Sequence, residues 1–140
     1  DMWKALEIAQ AKDFISDLPD GLDAVVEQGG DIFSGGQKQR LAIARAIIKP
    51  ASIYVFDDSF SALDFKTDAA LRKALKEHTS NATVLIVAQR ISTIMNAEQI
   101  IVLDEGKIVG KGTHKELLKN CQTYYEIASS QLSKEELDNE

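Results

Sequence analysis

Three short apolar runs constrain this chain more than any other feature: Ile53-Tyr54-Val55-Phe56, Val84-Leu85-Ile86-Val87-Ala88 and Ile100-Ile101-Val102-Leu103. Each is short and continuous, the pattern of a strand buried on both faces of a parallel sheet. The segments between them are patterned as helices. Residues 65–78 place Leu71 and Leu75 on one side, with Asp68 and Arg72 paired one turn apart, and residues 91–96 suit a short helix. Upstream, residues 2–17 read as one amphipathic helix, with Trp3, Leu6, Ala9 and Ile15 on its apolar face. The turn Pro19-Asp20-Gly21 ends it, residues 22–33 form a glycine-punctuated loop, and a helix over 34–48 stops at Lys49-Pro50. Downstream, residues 106–112 make a hairpin return. Thr113 and Glu116 form a capping box for a helix through Lys119, and residues 124–132 are helical. Strand–helix–strand alternation predicts an α/β fold with a mainly parallel sheet.

Composition narrows the function. The 140 residues carry 16 Lys and Arg against 22 Asp and Glu, a net charge of −6, so the chain as a whole does not attract nucleic acid. Part of that charge lies in the acidic tail at 133–140, which reads as a solvated helix end or a frayed terminus. Cys121 is the lone cysteine, so no internal disulfide forms, which fits a reducing compartment. No apolar run approaches the roughly 20 residues of a membrane helix, and no signal-peptide pattern is present. Service to a membrane would be from outside the bilayer.

The residues with chemistry cluster around the ends of these elements. Phe33-Ser34-Gly35-Gly36-Gln37 opens a helix that turns almost wholly apolar. A helix N-terminus with free N–H groups suits a phosphate. The same Ser34-x-x-Gln37 also fits a capping box, and on the residues alone both readings stand. Asp57 and Asp58 directly follow the first apolar run. Ligands in α/β sheets bind beyond the carboxyl ends of strands, where an Asp can hold the Mg²⁺ that bridges nucleotide phosphates. A pair of ordinary loop carboxylates is the alternative. Ser59-Phe60-Ser61-Ala62-Leu63-Asp64 reads by itself as a loop and helix N-cap, and Gln89-Arg90 as polar residues after a strand. The usual phosphate cradle, Gly-x-x-x-x-Gly-Lys-Ser/Thr, occurs nowhere in the chain.

The order and spacing of these segments resemble the nucleotide-binding domain of ATP-binding-cassette (ABC) transporters over nearly the whole chain. Residues 33–37 resemble the family signature, usually Leu-Ser-Gly-Gly-Gln. Residues 53–57 match the Walker B strand, and Ser61-Ala62-Leu63-Asp64 matches the D-loop. Gln89 falls where the family has its switch histidine, and Arg90-Ile91-Ser92-Thr93 continues that segment. Leu103-Asp104-Glu105-Gly106-Lys107-Ile108-Val109 and Gly112-Thr113-His114-Lys115-Glu116-Leu117-Leu118 resemble the exporter branch. The resemblance implies a P-loop NTPase-like (RecA-like) fold with a mainly parallel sheet, part of the ABC helical subdomain, and truncation at the N-terminus. It implies a helical subdomain at 1–49, the later part of the ATPase core at 50–132, and the acidic tail at 133–140.

The resemblance also implies roles. ATP and Mg²⁺ are the cofactors of the complete domain. Asp57 holds the metal, Asp58 stands where the family has its catalytic Glu, and Asp64 is the D-loop aspartate. Two such domains sandwich two ATP molecules head to tail, so Ser34, Gly35, Gly36 and Gln37 cap the partner's ATP in trans. Asp58 is one methylene shorter than Glu, a retreat of about 1 Å that costs on the order of 10²-fold. Gln89 can hydrogen-bond a phosphate but cannot take a positive charge or relay a proton. Together the two departures resemble the degenerate half of a heterodimeric exporter, as do Glu27-Gln28-Gly29-Gly30. The implied partners are a second nucleotide-binding domain and a transmembrane domain, at the cytoplasmic face of the cell membrane. Two functions follow: part of the ATPase that powers an exporter, or a regulatory ATP-binding module with little hydrolysis of its own. A non-transport ABC protein is a third, disfavoured by the exporter-like segment after Gln89. Walker A and its strand precede these residues in the family, so the isolated chain is expected not to bind MgATP. A gap is expected between the strands at 84–88 and 100–104.

Overall fold

The computed structural model describes residues 1–29 and 32–138, in two compact units, Asp1–Val87 and Ala88–Glu140. The first unit begins with α1 (Met2–Ile8) and α2 (Lys12–Ser16), where one continuous helix over 2–17 was expected. The break has a local cause. Gln10 adopts a left-handed backbone, φ 57°. Its N–H donates to the Glu7 carbonyl and that of Ala11 to the Leu6 carbonyl, the paired bonds of a Schellman cap in which glycine is the usual residue. Ala9 and Ala11 are both fully buried, so the chain turns where its small residues let it pack.

A short 3₁₀ turn at Gly21–Asp23 leads into the loop before α3 (Gly35–Ile47). Ile43, Ala44 and Ile47 bury one side of α3, which packs against α1. β1 (Ile53–Asp57) pairs in parallel with β2 (Thr83–Val87), and α4 (Phe65–His78) connects them, the expected strand–helix–strand unit. Leu71 and Leu75 face the core as expected. Asp68 is buried with them, and half-buried Arg72 donates from Nε to its Oδ1 at 2.9 Å, the expected pair one turn apart.

The strands are covered on one face only, which corrects the expectation of burial on both. Tyr54 and Phe56 enter the core, whereas Ile53 and Val55 are 64% and 59% exposed. In register with them on the same face, Leu85 and Val87 of β2 are exposed too. A parallel sheet is dry on both faces when helices lie on each; here α1, α3 and α4 join Tyr54 and Phe56 in a single cluster.

The second unit holds α5 (Ile91–Ile94), the antiparallel hairpin β3 (Ile100–Asp104) and β4 (Lys107–Gly112), and α6 (His114–Asn120), α7 (Gln122–Gln131) and α8 (Lys134–Asp138). Glu105 and Gly106 both take positive φ, 46° and 74°, the backbone that a tight two-residue hairpin turn needs. The expected capping box is present: the Thr113 hydroxyl accepts from the Glu116 N–H, and Glu116 accepts from the Thr113 N–H. Gly110 lets α6 approach β4, since a Cβ there would lie 2.7 Å from Cys121 Sγ. Among the described residues, β1–β2 is the sheet of the first unit and β3–β4 that of the second.

Leu71 is wholly buried in the first cluster. Leu71→Ala should therefore cost about 2–5 kcal/mol in urea unfolding. An unchanged midpoint would mean that α4 does not anchor this core.

Candidate functional site

The first turn of α3 is shaped by a capping box. Ser34 Oγ accepts from the Gln37 N–H at 3.2 Å, and Gln37 Oε1 accepts from the Ser34 N–H at 2.9 Å. Capping does not exhaust either side chain. The Ser34 hydroxyl keeps its own O–H to give, and the Gln37 amide keeps its NH₂ group. The two glycines between them belong to the first turn, whose N–H groups have no intrahelical acceptor. Both readings of residues 34–37 are thus physically compatible.

The glycines answer a packing demand as well. A Cβ on Gly36 would lie 2.9 Å from the Ala62 carbonyl oxygen, whereas one on Gly35 would meet the Ala62 Cβ at an ordinary 3.6 Å. The helix start is therefore seated on the loop that follows β1. Gln39 fastens the two together. Its Nε2 donates to the Asp58 carbonyl at 3.0 Å and to Ser61 Oγ at 2.9 Å, and its Oε1 accepts from the Ala62 N–H at 2.9 Å.

Asp57 ends β1 on the exposed face that carries Ile53 and Val55. Asp58 follows with a left-handed backbone, φ 51°, which takes it out of the strand's alternation. Its N–H donates to the Val87 carbonyl at 2.8 Å, one ladder step past the sheet. Both carboxylates are exposed. Among the described residues no cluster of three or more His, Cys, Asp or Glu side chains forms a metal cage. The donors present fit Mg²⁺, which takes one or two carboxylates and completes its shell with water and phosphate oxygens. Asp57 offers one such exposed carboxylate at the strand end.

Asp64 is the N-cap of α4. The Thr67 N–H and then the Thr67 hydroxyl, both at 2.8 Å, hold its carboxyl below the usual carboxylate range. Gln89 lies in the second unit, with its side chain exposed. Its carbonyl accepts from Gln131 Nε2 at 2.8 Å, while Gln131 Oε1 accepts from the Ile91 N–H at 2.8 Å. One amide on α7 thereby fixes the backbone on both sides of Arg90. Of the tetrad at 27–30, Gly30 lies outside the described residues.

The profile of the ABC transporter family matches residues 5–61. An ABC transporter ATP-binding protein of Mycobacterium tuberculosis, itself uncharacterized, is 55% identical over 94% of this chain and 22% of its own length. The ATP-dependent lipid A-core flippase of Photobacterium profundum is 46% identical over 91% of this chain and 22% of its own. A bacterial Atm1-family ABC exporter, solved with ATP bound, superposes with a TM-score of 0.90 at 37% identity, over 95% of this chain and 24% of that one. The chain matches part of the ATP-binding domain of ABC transporters. It spans about a fifth of the length of these relatives, and its fold is that of part of an ABC ATPase domain, in the P-loop NTPase class. Among the described residues no helix is long and apolar enough to cross a membrane.

Within this ABC domain, sequence reasoning missed Gln39 and Gln131. Gln39 gave no local signal, since it sits inside the polar run Gln37-Lys38-Gln39-Arg40. Gln131 had none, since a glutamine in the last turn of a helix is ordinary.

Two outcomes follow. Gly36→Ala should destabilise the chain by about 1–3 kcal/mol, because a backbone carbonyl must move, while Gly35→Ala should cost clearly less in the same thermal melts. A carboxyl depressed in the fold adds stability above its ordinary pKa of 3.8, and loses that contribution as pH falls through the lowered value. The advantage of wild type over Asp64→Asn, which keeps a neutral cap, should therefore shrink below that pH; a constant difference would show the charge to be idle.

Proposed function

We propose that this chain is part of the ATP-binding and ATP-hydrolysing domain that powers an ABC exporter. Residues 34–37 supply the signature that caps an ATP held by a partner domain. The observation that carries the reading is the helix start itself: 34–37 is internally capped yet keeps hydroxyl, amide and first-turn N–H donors to give. Its neighbour along the same loop contact is the strand end that bears Asp57 and Asp58. In this reading Asp57 holds Mg²⁺, Asp58 stands at the general-base position, Asp64 lies on the D-loop and Gln89 occupies the switch position. Residues 1–49 serve as helical subdomain and 50–132 as the later part of the ATPase core, with an acidic tail at 133–140. The domain works at the cytoplasmic face of the membrane, bound to a transmembrane domain and a second nucleotide-binding domain. ATP supplies the energy of its terminal phosphate bond; the segment alone, without a Walker A loop, is inactive.

A second reading concerns this subunit's own ATP site. Asp58 is short for its place, and Gln89 carries no titratable proton. The family resemblance assigns both departures to one ATP site, which favours a heterodimer in which this site regulates and the partner's site hydrolyses.

The test uses the full-length protein that contains this chain, assembled with its partner. Asp58→Glu combined with Gln89→His should about double turnover per dimer, as two competent sites replace one. Unchanged turnover would remove the degenerate-site reading, and loss of all turnover on Ser34→Ala would still support the signature role.

A further inference from the structure

Gln39 spends both halves of its amide on one loop. The NH₂ group reaches the Asp58 carbonyl and Ser61 Oγ, and the carbonyl oxygen receives the Ala62 N–H. Only a side chain with a donor and an acceptor on the same planar head can do this: Lys offers donors alone and Glu acceptors alone. The loop it holds has a tie of its own, Ser61 Oγ donating to the Asp58 carbonyl at 3.3 Å, but it also carries an unfavourable backbone. Asp58 is a non-glycine residue in the left-handed region, φ 51°, and such backbone persists when its surroundings over-determine it. Its N–H is fixed from outside the loop by the Val87 carbonyl, and its C=O accepts from Gln39 at 3.0 Å as well as from Ser61 Oγ at 3.3 Å. On the other side of the contact, Gly36 lies so close to the Ala62 carbonyl that no methyl group fits between them.

We propose that Gln39 is a positioning residue that joins the helix start at 34–37 to the loop at 58–62 as one rigid piece, so that a change at either end is transmitted to the other. The two ends face different duties. One presents donors to an anion outside the chain, and the other sets the direction of the Asp58 carboxylate. A shift of the helix start by a few tenths of an ångström, when an anion arrives or leaves, pulls on the Asp58 carbonyl through Gln39. The duties rest on the function proposed above; the mechanical link is a property of the chain itself.

The link is read first without nucleotide. In the isolated chain, Ser34→Ala removes the cap, and amide shifts in a heteronuclear NMR spectrum report how far the disturbance travels. It should reach Asp58, Ser61 and Ala62. In a Gln39→Met background, which keeps length and removes the polar head, the shifts at those three amides should fall severalfold. Exchange of the Ala62 N–H should quicken by about tenfold, as one hydrogen bond is lost. Shifts at residues 58–62 that persist undiminished in the Gln39→Met background would overturn the proposal. Should Gln39→Met fail to fold, Gln39→Glu carries the test. It keeps the acceptor for Ala62 and loses the donor to Asp58, so the transmitted shift should survive at Ala62 and drop at Asp58; equal shifts at both would sink the idea.

The second readout is kinetic, in the full-length assembled protein. Gln39→Met should lower kcat by about tenfold while KM for ATP stays within about twofold, the signature of misplaced rather than missing groups. Ser34→Ala separates the two claims. If it leaves hydrolysis untouched while the NMR coupling is present, the anion-capping function fails and the link stands. If it abolishes hydrolysis while the coupling is absent, the link alone fails.

Discussion

The first unit depends on one guanidinium. Arg40 Nη1 donates to the Gln10 carbonyl at 2.6 Å, thirty residues away, and the guanidinium carbon lies 4.8 Å from the centre of the Phe14 ring. Phe14 in turn meets Phe33 edge to face. Gln10 is the left-handed residue that splits the N-terminal helix, so its carbonyl is turned out of any helical ladder and needs a donor. Arg40 supplies it from the first half of α3. The bond fixes α3 along its own axis, where the burial of Ile43, Ala44 and Ile47 alone would allow sliding. With that register set, Gly36 and Gln39 land on the loop after β1, and the helix start takes its direction. A lysine at this position would keep the charge and lose the planar face that stacks on Phe14.

Capping alone says little about function here. Among the described residues the same box occurs three times, at Ser34 and Gln37, at Thr113 and Glu116, and at Ser133 and Glu136. The difference lies in the third helical residue. Glu116 and Glu136 place a carboxylate on the positive end of their helices, which satisfies the dipole from within and repels an incoming anion. Gln37 performs the same capping bond with a neutral amide. It leaves the dipole uncompensated and has donors to spare. The substitution of amide for carboxylate marks this N-terminus, alone of the three, as one open to an outside anion.

Local rules carried much of the fold. The helix at 65–78, the N-cap at Asp64, the box at Thr113 and the hairpin return all depend on residues within a turn of one another, and all are legible from spacing. The split at Gln10 was not, because its left-handed backbone is stabilised from Arg40, far along the chain. Gln39 is the same case: its partners lie 19 to 23 residues on, and no local pattern names them. The residues at 34–37 and 57–58 stand out in the sequence, but the bridge between the two sets belongs to tertiary structure.

The apolar runs show a different limit. Continuity in a strand reports which surfaces its residues can bury, and Ile53, Val55, Leu85 and Val87 can bury a face that this unit leaves to solvent. That face bears on the chemistry, because Asp57 shares it by alternation while Asp58, turned by its left-handed backbone, does not. Anything that covers the face withdraws water from beside Asp57 and strengthens its attraction for a cation several-fold as the effective dielectric falls. Asp58 stays held by Gln39 and the Val87 carbonyl whether the face is covered or not. The two neighbouring carboxylates are thus governed separately, one by what packs on the sheet and the other by what happens at the start of α3.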